Sequence, residues 1–287
     1  RQNNQVSIMR KGMILLIMVL LCVNVLSAQE YHEVFDSLDV AKVQVVYKLT
    51  YKEDSLRRDI QHSERMVLLI GKTMSYFGSF KQYQREHLEF QKCQEGDVMA
   101  WMNTAEEMKY RFRWQYKVYK NYPQGNLTYI DHIFLGNSIQ YQEDLKVLQW
   151  EIFDDTLSVE NYLCHKAVCH YGGRKWEAWF TEELPFDDGP YKFCGLPGLI
   201  LKVADARGDY NFEFLSIEVP SAVTNIEWYN GLSGGVDCEK TTREKFLKAQ
   251  RDSREDVMNR FDERTSLAVQ KKAFYAMKAR NNPIELE

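Results

Sequence analysis

Cys164-His165-Lys166-Ala167-Val168-Cys169-His170 is the densest run of metal-binding side-chain types in the 287-residue chain. Thiolates and imidazoles together hold zinc, and a Cys-x-x-Cys-His run attaches haem. Here the two cysteines stand further apart. On an extended strand Cys164 and Cys169 point to opposite faces, as do His165 and His170. One site does not collect all four, so neither a metal nor a cofactor is assigned. Glu182, Glu183, Asp187 and Asp188 form a second candidate, because paired carboxylates can move protons or bind a cation. Their setting in a turn explains them as solvated side chains equally well. Neither His-Glu-x-x-His nor Gly-x-Ser-x-Gly occurs, so no catalytic residue is named. A triad assembled in space remains open.

Gly195-Leu196-Pro197-Gly198 runs directly into the apolar Leu199-Ile200. Glycine admits positive φ and close backbone approach, and proline fixes the bend. The element therefore either rims a ligand pocket or simply turns the chain into a core strand. It is not a phosphate loop, since it lacks the Gly-Lys-Ser/Thr ending and precedes a strand.

Aromatic residues make up 13% of the chain, many at alternating positions. Trp150, Trp176, Trp179, Tyr210, Phe212 and Phe214 are the candidates to line the inside of a curved sheet. Such a sheet either encloses an apolar ligand or fills with its own side chains.

These residues need strands to position them. Val43, Val45, Tyr47, Leu49 and Tyr51 alternate with mostly polar neighbours, as in a strand with one wet face. Residues 66–70 read as a buried strand, with 71–80 returning as a hairpin. Further strands are expected over 127–134, 148–152, 162–171, 175–181, 199–204 and 210–219. Gly172-Gly173 and the segment 205–209 supply the hairpin turns. Residues 82–121 are rich in Gln, Glu, Lys and Arg and read as a polar insertion, either with 82–92 and 97–109 as helical segments or as a surface excursion. Thr241 or Thr242 caps a helix over about 242–262, and 267–277 reads as another helical piece. The fold class is therefore mainly β (α+β). It is a curved antiparallel meander or incomplete β-barrel with a C-terminal helical segment.

The first thirty residues read as an address rather than as fold. Met9-Arg10-Lys11, the apolar run 12–26 and Leu26-Ser27-Ala28 fit a signal peptide over 9–28, leaving 29–287 as one domain. Residues 1–8 read as upstream sequence. Removing Arg1, Arg10 and Lys11 makes the chain more acidic than its formal charge of −4. With no basic stripe, nucleic-acid binding is not expected. No later run is long and apolar enough to span a bilayer, so no transmembrane span is expected after cleavage. Export favours disulfides, and Cys164 with Cys194 is the preferred pair because each lies near a strand end.

Lys192-Phe193-Cys194-Gly195-Leu196-Pro197-Gly198-Leu199-Ile200-Leu201 resembles the GLPGLI family of exported Bacteroidetes proteins, known as paralogues in Porphyromonas. Trp179-Phe180-Thr181, Asp188-Gly189-Pro190, residues 66–72 and Asn282-Pro283-Ile284-Glu285 are similar to that family's pattern. The resemblance implies a periplasmic, outer-membrane or extracellular location. It implies no activity and no catalytic residues. The expected function is non-catalytic binding of an apolar small molecule, a peptide or an outer-membrane protein. An envelope hydrolase with unidentified residues and a scaffold or assembly factor are the alternatives.

Overall fold

The computed structural model describes residues 35–94, 113–229 and 238–287. The signal segment 9–28 and the helix expected over 97–109 lie outside the described residues. The first elements are β1 (Phe35–Val40), β2 (Val43–Tyr51), β3 (His62–Ile70), β4 (Ser75–Ser79) and α1 (Phe80–Gln94). Then come β5 (Lys117–Lys120), β6 (Asn126–His132), β7 (Ser138–Asp144), β8 (Glu151–Val159), β9 (Tyr162–Tyr171) and β10 (Arg174–Thr181). These are followed by β11 (Leu199–Asp205), β12 (Tyr210–Glu218), β13 (Asn225–Tyr229) and β14 (Glu239–Lys240). Last are α2 (Arg243–Glu255), a 3-10 turn (Val257–Arg260) and α3 (Leu267–Lys278).

Twelve strands form one sheet in the order β14-β7-β6-β5-β4-β3-β2-β12-β11-β10-β9-β8, while β1 and β13 make a separate ribbon. β2 lies at the centre. From it the hairpins unroll in sequence order to β7 on one side and in reverse order from β12 to β8 on the other. All neighbours run antiparallel except the short β14, which lies parallel to β7. On β2 the odd-numbered residues from Val43 to Tyr51 are buried, so the period-two pattern becomes the inner face of the sheet.

The sheet has to curl. Ten strand steps separate β7 from β8 in that order, a span of roughly 48 Å if flat. The connection from Asp144 to Glu151 reaches only about 24 Å when fully extended. Curling brings the two margins together, and the Tyr171 hydroxyl of β9 donates to Glu143 Oε2 of β7 at 2.8 Å. The result is an incomplete barrel whose gap lies between β7 and the β8–β9 hairpin.

Between β10 and β11, residues 188–194 and Leu196 are buried and fold into the interior, while most of 182–187 stays exposed. Phe193 packs on Trp176 with ring centroids 4.7 Å apart, and Tyr191 packs edge-on to Tyr116 at 5.3 Å. Gly195 has φ 86° and Gly198 has φ 153°. A Cβ on Gly198 would stand 2.1 Å from the Thr181 carbonyl oxygen, so only glycine fits where the loop passes the end of β10. Gly195 faces open space, and there φ alone sets the requirement. Leu196 is buried between the two glycines, and Pro197 lies exposed at the bend.

The Cys164–Cys194 bridge expected from the sequence is not formed. Both residues are free thiols, as is Cys169. Cys164 Sγ lies near the Tyr162 carbonyl and Cys194 Sγ near the Leu145 carbonyl, so the two strand-end positions engage different backbone groups. Another difference lies in the polar stretch 82–121. It contains β5, whose Val118 and Tyr119 are core residues, as is Tyr116 just before it. The two lysines of β5 are buried by pairing, Lys117 with Glu86 at 2.8 Å and Lys120 with Asp188. The expected helix 242–262 is α2 followed by the 3-10 turn.

Candidate functional site

α2 is started by Thr242, whose side chain accepts from the Lys245 N–H, with Glu244 in the first turn. Its Phe246 stands against Tyr129 and Tyr141, at centroid distances of 5.4 and 5.1 Å. Gln250, one turn on, donates to Asp131 Oδ2 at 3.2 Å. Residues 246, 250 and 253–254 therefore share the face turned toward the sheet.

Beneath that face is a cavity of about 370 Å³. Tyr129, Asp131 and Tyr141 of β6 and β7 form one wall, and Glu53, Arg113, Trp114 and Tyr210 another. Tyr191 and the tail residues Asn282–Glu285 floor it, while Phe246 and Arg254 of α2, Met277 of α3 and Arg280 just beyond α3 roof it. The lining mixes aromatic side chains with charged groups, as small-molecule sites do.

The floor rests on a buried polar cluster. Lys192 is fully buried, with Nζ 2.6 Å from the Tyr141 hydroxyl, 2.8 Å from the Tyr171 hydroxyl, 2.8 Å from Glu143 and 2.6 Å from Glu285. It also faces the rings of Tyr129 and Tyr141 at 4.7 and 4.8 Å. Arg243 joins the same carboxylates, 3.2 Å from Glu143 and 2.6 Å from Glu285. Two cations thus meet two anions, which is the condition for burying them together. Burial alone would raise the Glu285 pKa, but Lys192 and Arg243 hold it below the usual carboxylate value.

A second buried clamp holds the tail. Arg174 donates to the Ile284 carbonyl at 2.9 Å, to Asn282 Oδ1 at 2.7 Å and to the Pro283 carbonyl at 2.6 Å. Its charge is matched by Asp205 at 2.9 Å and Asp209 at 3.3 Å.

On the open side, Asp131 has its pKa pushed up to about 6 by burial, against the opposing hydrogen bond from the His132 N–H and the charge of Arg113. A carboxyl titrating there can hold or release a proton near neutral pH. Arg113 lies 3.1 Å from Glu53, and Arg280 shares that carboxylate at 3.8 Å.

Of the six aromatic residues singled out from the sequence, Tyr210 lines this cavity. Trp176, Phe212 and Phe214 are core residues packed against Phe193, Phe77, Tyr47 and each other's neighbours. Trp150 donates to the Cys194 carbonyl at 2.9 Å, tying the linker between β7 and β8 to the inner loop. Trp179 lies on the outer face beside Lys166. The acidic run is divided: Asp188 pairs with buried Lys120, and Glu183 accepts the Leu163 N–H. Cys164 and Cys169 are buried while His170 is exposed. Among the described residues no group of three or more His, Cys, Asp or Glu is placed to hold a metal ion.

Sequence reading overlooked Asp131, Arg113, Arg254, Arg280 and Lys192. Arg254 and Gln250 carried a signal as the continuation of the Phe246 stripe on α2. The others lie on separate elements, with no local pattern to join them.

Fold and cavity together define a curled, open β-sheet protein with a helix-roofed site. Residues 171–202, which span β10, the inner loop and the start of β11, match a family model described as "Protein of unknown function (Porph_ging)". No curated protein matches the chain. Two crystal structures of PNGF-II are similar to it. One, in space group C2, has a TM-score of 0.48 at 12% identity and covers 74% of this chain and 33% of its own. The other, in space group P21, has a TM-score of 0.47 at 14% identity, with 75% and 34% covered. The chain spans about a third of the length of those structures. No helix among the described residues is long and apolar enough to cross a membrane.

Proposed function

We propose that this is a GLPGLI-type exported protein of the periplasm or outer membrane that binds a small ring-bearing molecule without transforming it. The observation that carries the reading is the cavity under α2. Its 370 Å³ lies within the range of small-molecule sites. Its lining includes aromatic side chains, of which Trp114 and Phe134 are the partly exposed ones, together with polar groups that fix orientation. The export half of the proposal rests on residues 9–28.

Native mass spectrometry of protein released gently from cells tests it, alongside quenching of Trp114 fluorescence by naphthyl and phenyl compounds. A co-purifying small molecule, displaced when Phe246→Arg fills the cavity, is the expected result. Protein that carries nothing, and whose fluorescence ignores every aryl compound, would overturn the reading.

Asp131 favours a second reading, an envelope hydrolase. A carboxyl that titrates near 6 in a polar cavity is suited to general acid work. Peptide, ester and glycoside reporters test it. Turnover that disappears in Asp131→Asn and follows a pH profile with a limb near 6 would establish the enzyme, and silence across the panel would remove it.

A further inference from the structure

The cavity carries more positive charge than its own acids answer. Arg113 comes from the segment before β5, Arg254 from the last turn of α2 and Arg280 from just beyond α3, and all three line the same space. Three carboxylates share that lining. Glu285 is engaged by Lys192 and Arg243. Glu53 serves both Arg113 and Arg280. Asp131 already accepts from the His132 N–H, the Tyr129 hydroxyl and the Gln250 amide. Arg254 is half-buried and makes no hydrogen bond or ion pair with any described residue.

A guanidinium keeps its proton in a protein, so the group stays charged and pays for its lost hydration unless an anion meets it. Burial lowers the affinity of Arg254 and of Arg280 for the proton, and Arg113 repels both. The groups that answer a guanidinium fork are planar or tetrahedral oxyanions that accept two N–H bonds together.

Resting on the cavity-binding reading above, we propose that the bound molecule carries an acid group, a carboxylate or a phosphate ester, and that Arg254 receives it with Arg113 and Arg280 beside it. The ring system of the same molecule then lies beside Trp114 and Phe134, the partly exposed aromatic residues of the lining. Arg254 is the position the fold leaves for the ligand, because it is the member of the three with no internal partner.

The test uses three probes of one size and differing charge: 2-naphthoate, 2-naphthyl phosphate and neutral 2-naphthalenemethanol. Affinities are measured by calorimetry at pH 7.5 on the full mature chain, for the natural protein, Arg254→Met and Arg254→Lys. The expected result is at least tenfold tighter binding of one or both acids than of the alcohol. That ratio falls to about one in Arg254→Met, recovers in part in Arg254→Lys, and shrinks with added salt. The ratio cancels any general loosening of the cavity, and thermal unfolding checks that each variant folds. Naphthoate against naphthyl phosphate decides between the two acid chemistries. Acids that bind no better than the alcohol, or a preference that survives Arg254→Met, would overturn the inference while leaving the binding reading standing. Failure of all three probes to bind would bring down both.

Discussion

Lys192 Nζ lies 2.6 Å from Glu285 Oε1, joining the inner loop to the C-terminal tail across the gap of the open barrel. Glu143 of β7 and Arg243 of α2 complete the contact. One buried cluster therefore fixes a sheet margin, the loop, the roof helix and the tail that floors the cavity. Removing either partner strands a buried charge. Lys192→Met and Glu285→Gln should each cost about 3–5 kcal/mol, read by urea unfolding. The double variant should cost less than the two together. The cluster also sets an acid limb. Glu285 is held below its usual value, so its share of stability is complete above about pH 4.5 and is lost as acid protonates it. Strictly additive costs would show that the two side chains do not act as a pair.

Asp131 works in the opposite sense. Its folded pKa is raised to about 6 from an ordinary 3.8, so the fold binds that proton more tightly than the unfolded chain does. Its contribution to stability therefore declines as pH rises from about 4 to 6. Asp131→Asn should gain on the natural protein over that interval by on the order of 1–2 kcal/mol, allowing for solvent at the half-buried carboxyl. Unfolding titrations from pH 4 to 7.5 check this. Parallel profiles for the two proteins would contradict it.

Gly198 and Gly195 separate two reasons for glycine within one turn. At Gly198 a methyl group would meet the Thr181 carbonyl at 2.1 Å. At Gly195 nothing lies within 4 Å and only the positive φ objects. Gly198→Ala should therefore cost on the order of 3 kcal/mol or more, and Gly195→Ala about 1–2 kcal/mol. Equal shifts in melting temperature would refute the close-approach account.

The thiols supply a test that needs no substitution. Burial pushes Cys164 up to about 11 and Cys169 and Cys194 to about 12. At neutral pH they stay protonated and should resist iodoacetamide in the folded protein, then label fully in urea. Mass spectrometry after alkylation reads each site. A Cys164–Cys194 peptide pair in non-reduced digests would contradict the fold described above.

Much of the architecture could be read from neighbouring residues. The alternation at Val43–Tyr51 marked the central strand because side-chain direction on a strand repeats every two residues. Gly172-Gly173 and the 205–209 turn located the hairpins β9–β10 and β11–β12, and the pair Thr241-Thr242 marked where α2 begins, with Thr242 the cap in the structure. β5 escaped because Lys117 and Lys120 looked solvated. Their burial depends on Glu86 and Asp188, each far along the chain.

What the sequence determined by itself was periodicity: a mainly β chain, its principal hairpins, the helical end and the sharp bend at 195–198. Only the tertiary structure decided which aromatic rings became core and which bordered a cavity. Trp176 and Phe212 meet the inner loop, while Tyr210 meets the tail. It also decided that Arg113, Arg254 and Arg280 face one space. Backbone propensity and side-chain alternation act over a few residues, so they leave a local trace. A charge cluster exists only once a curled sheet has brought distant segments within a few ångströms, and no short stretch of sequence records that distance.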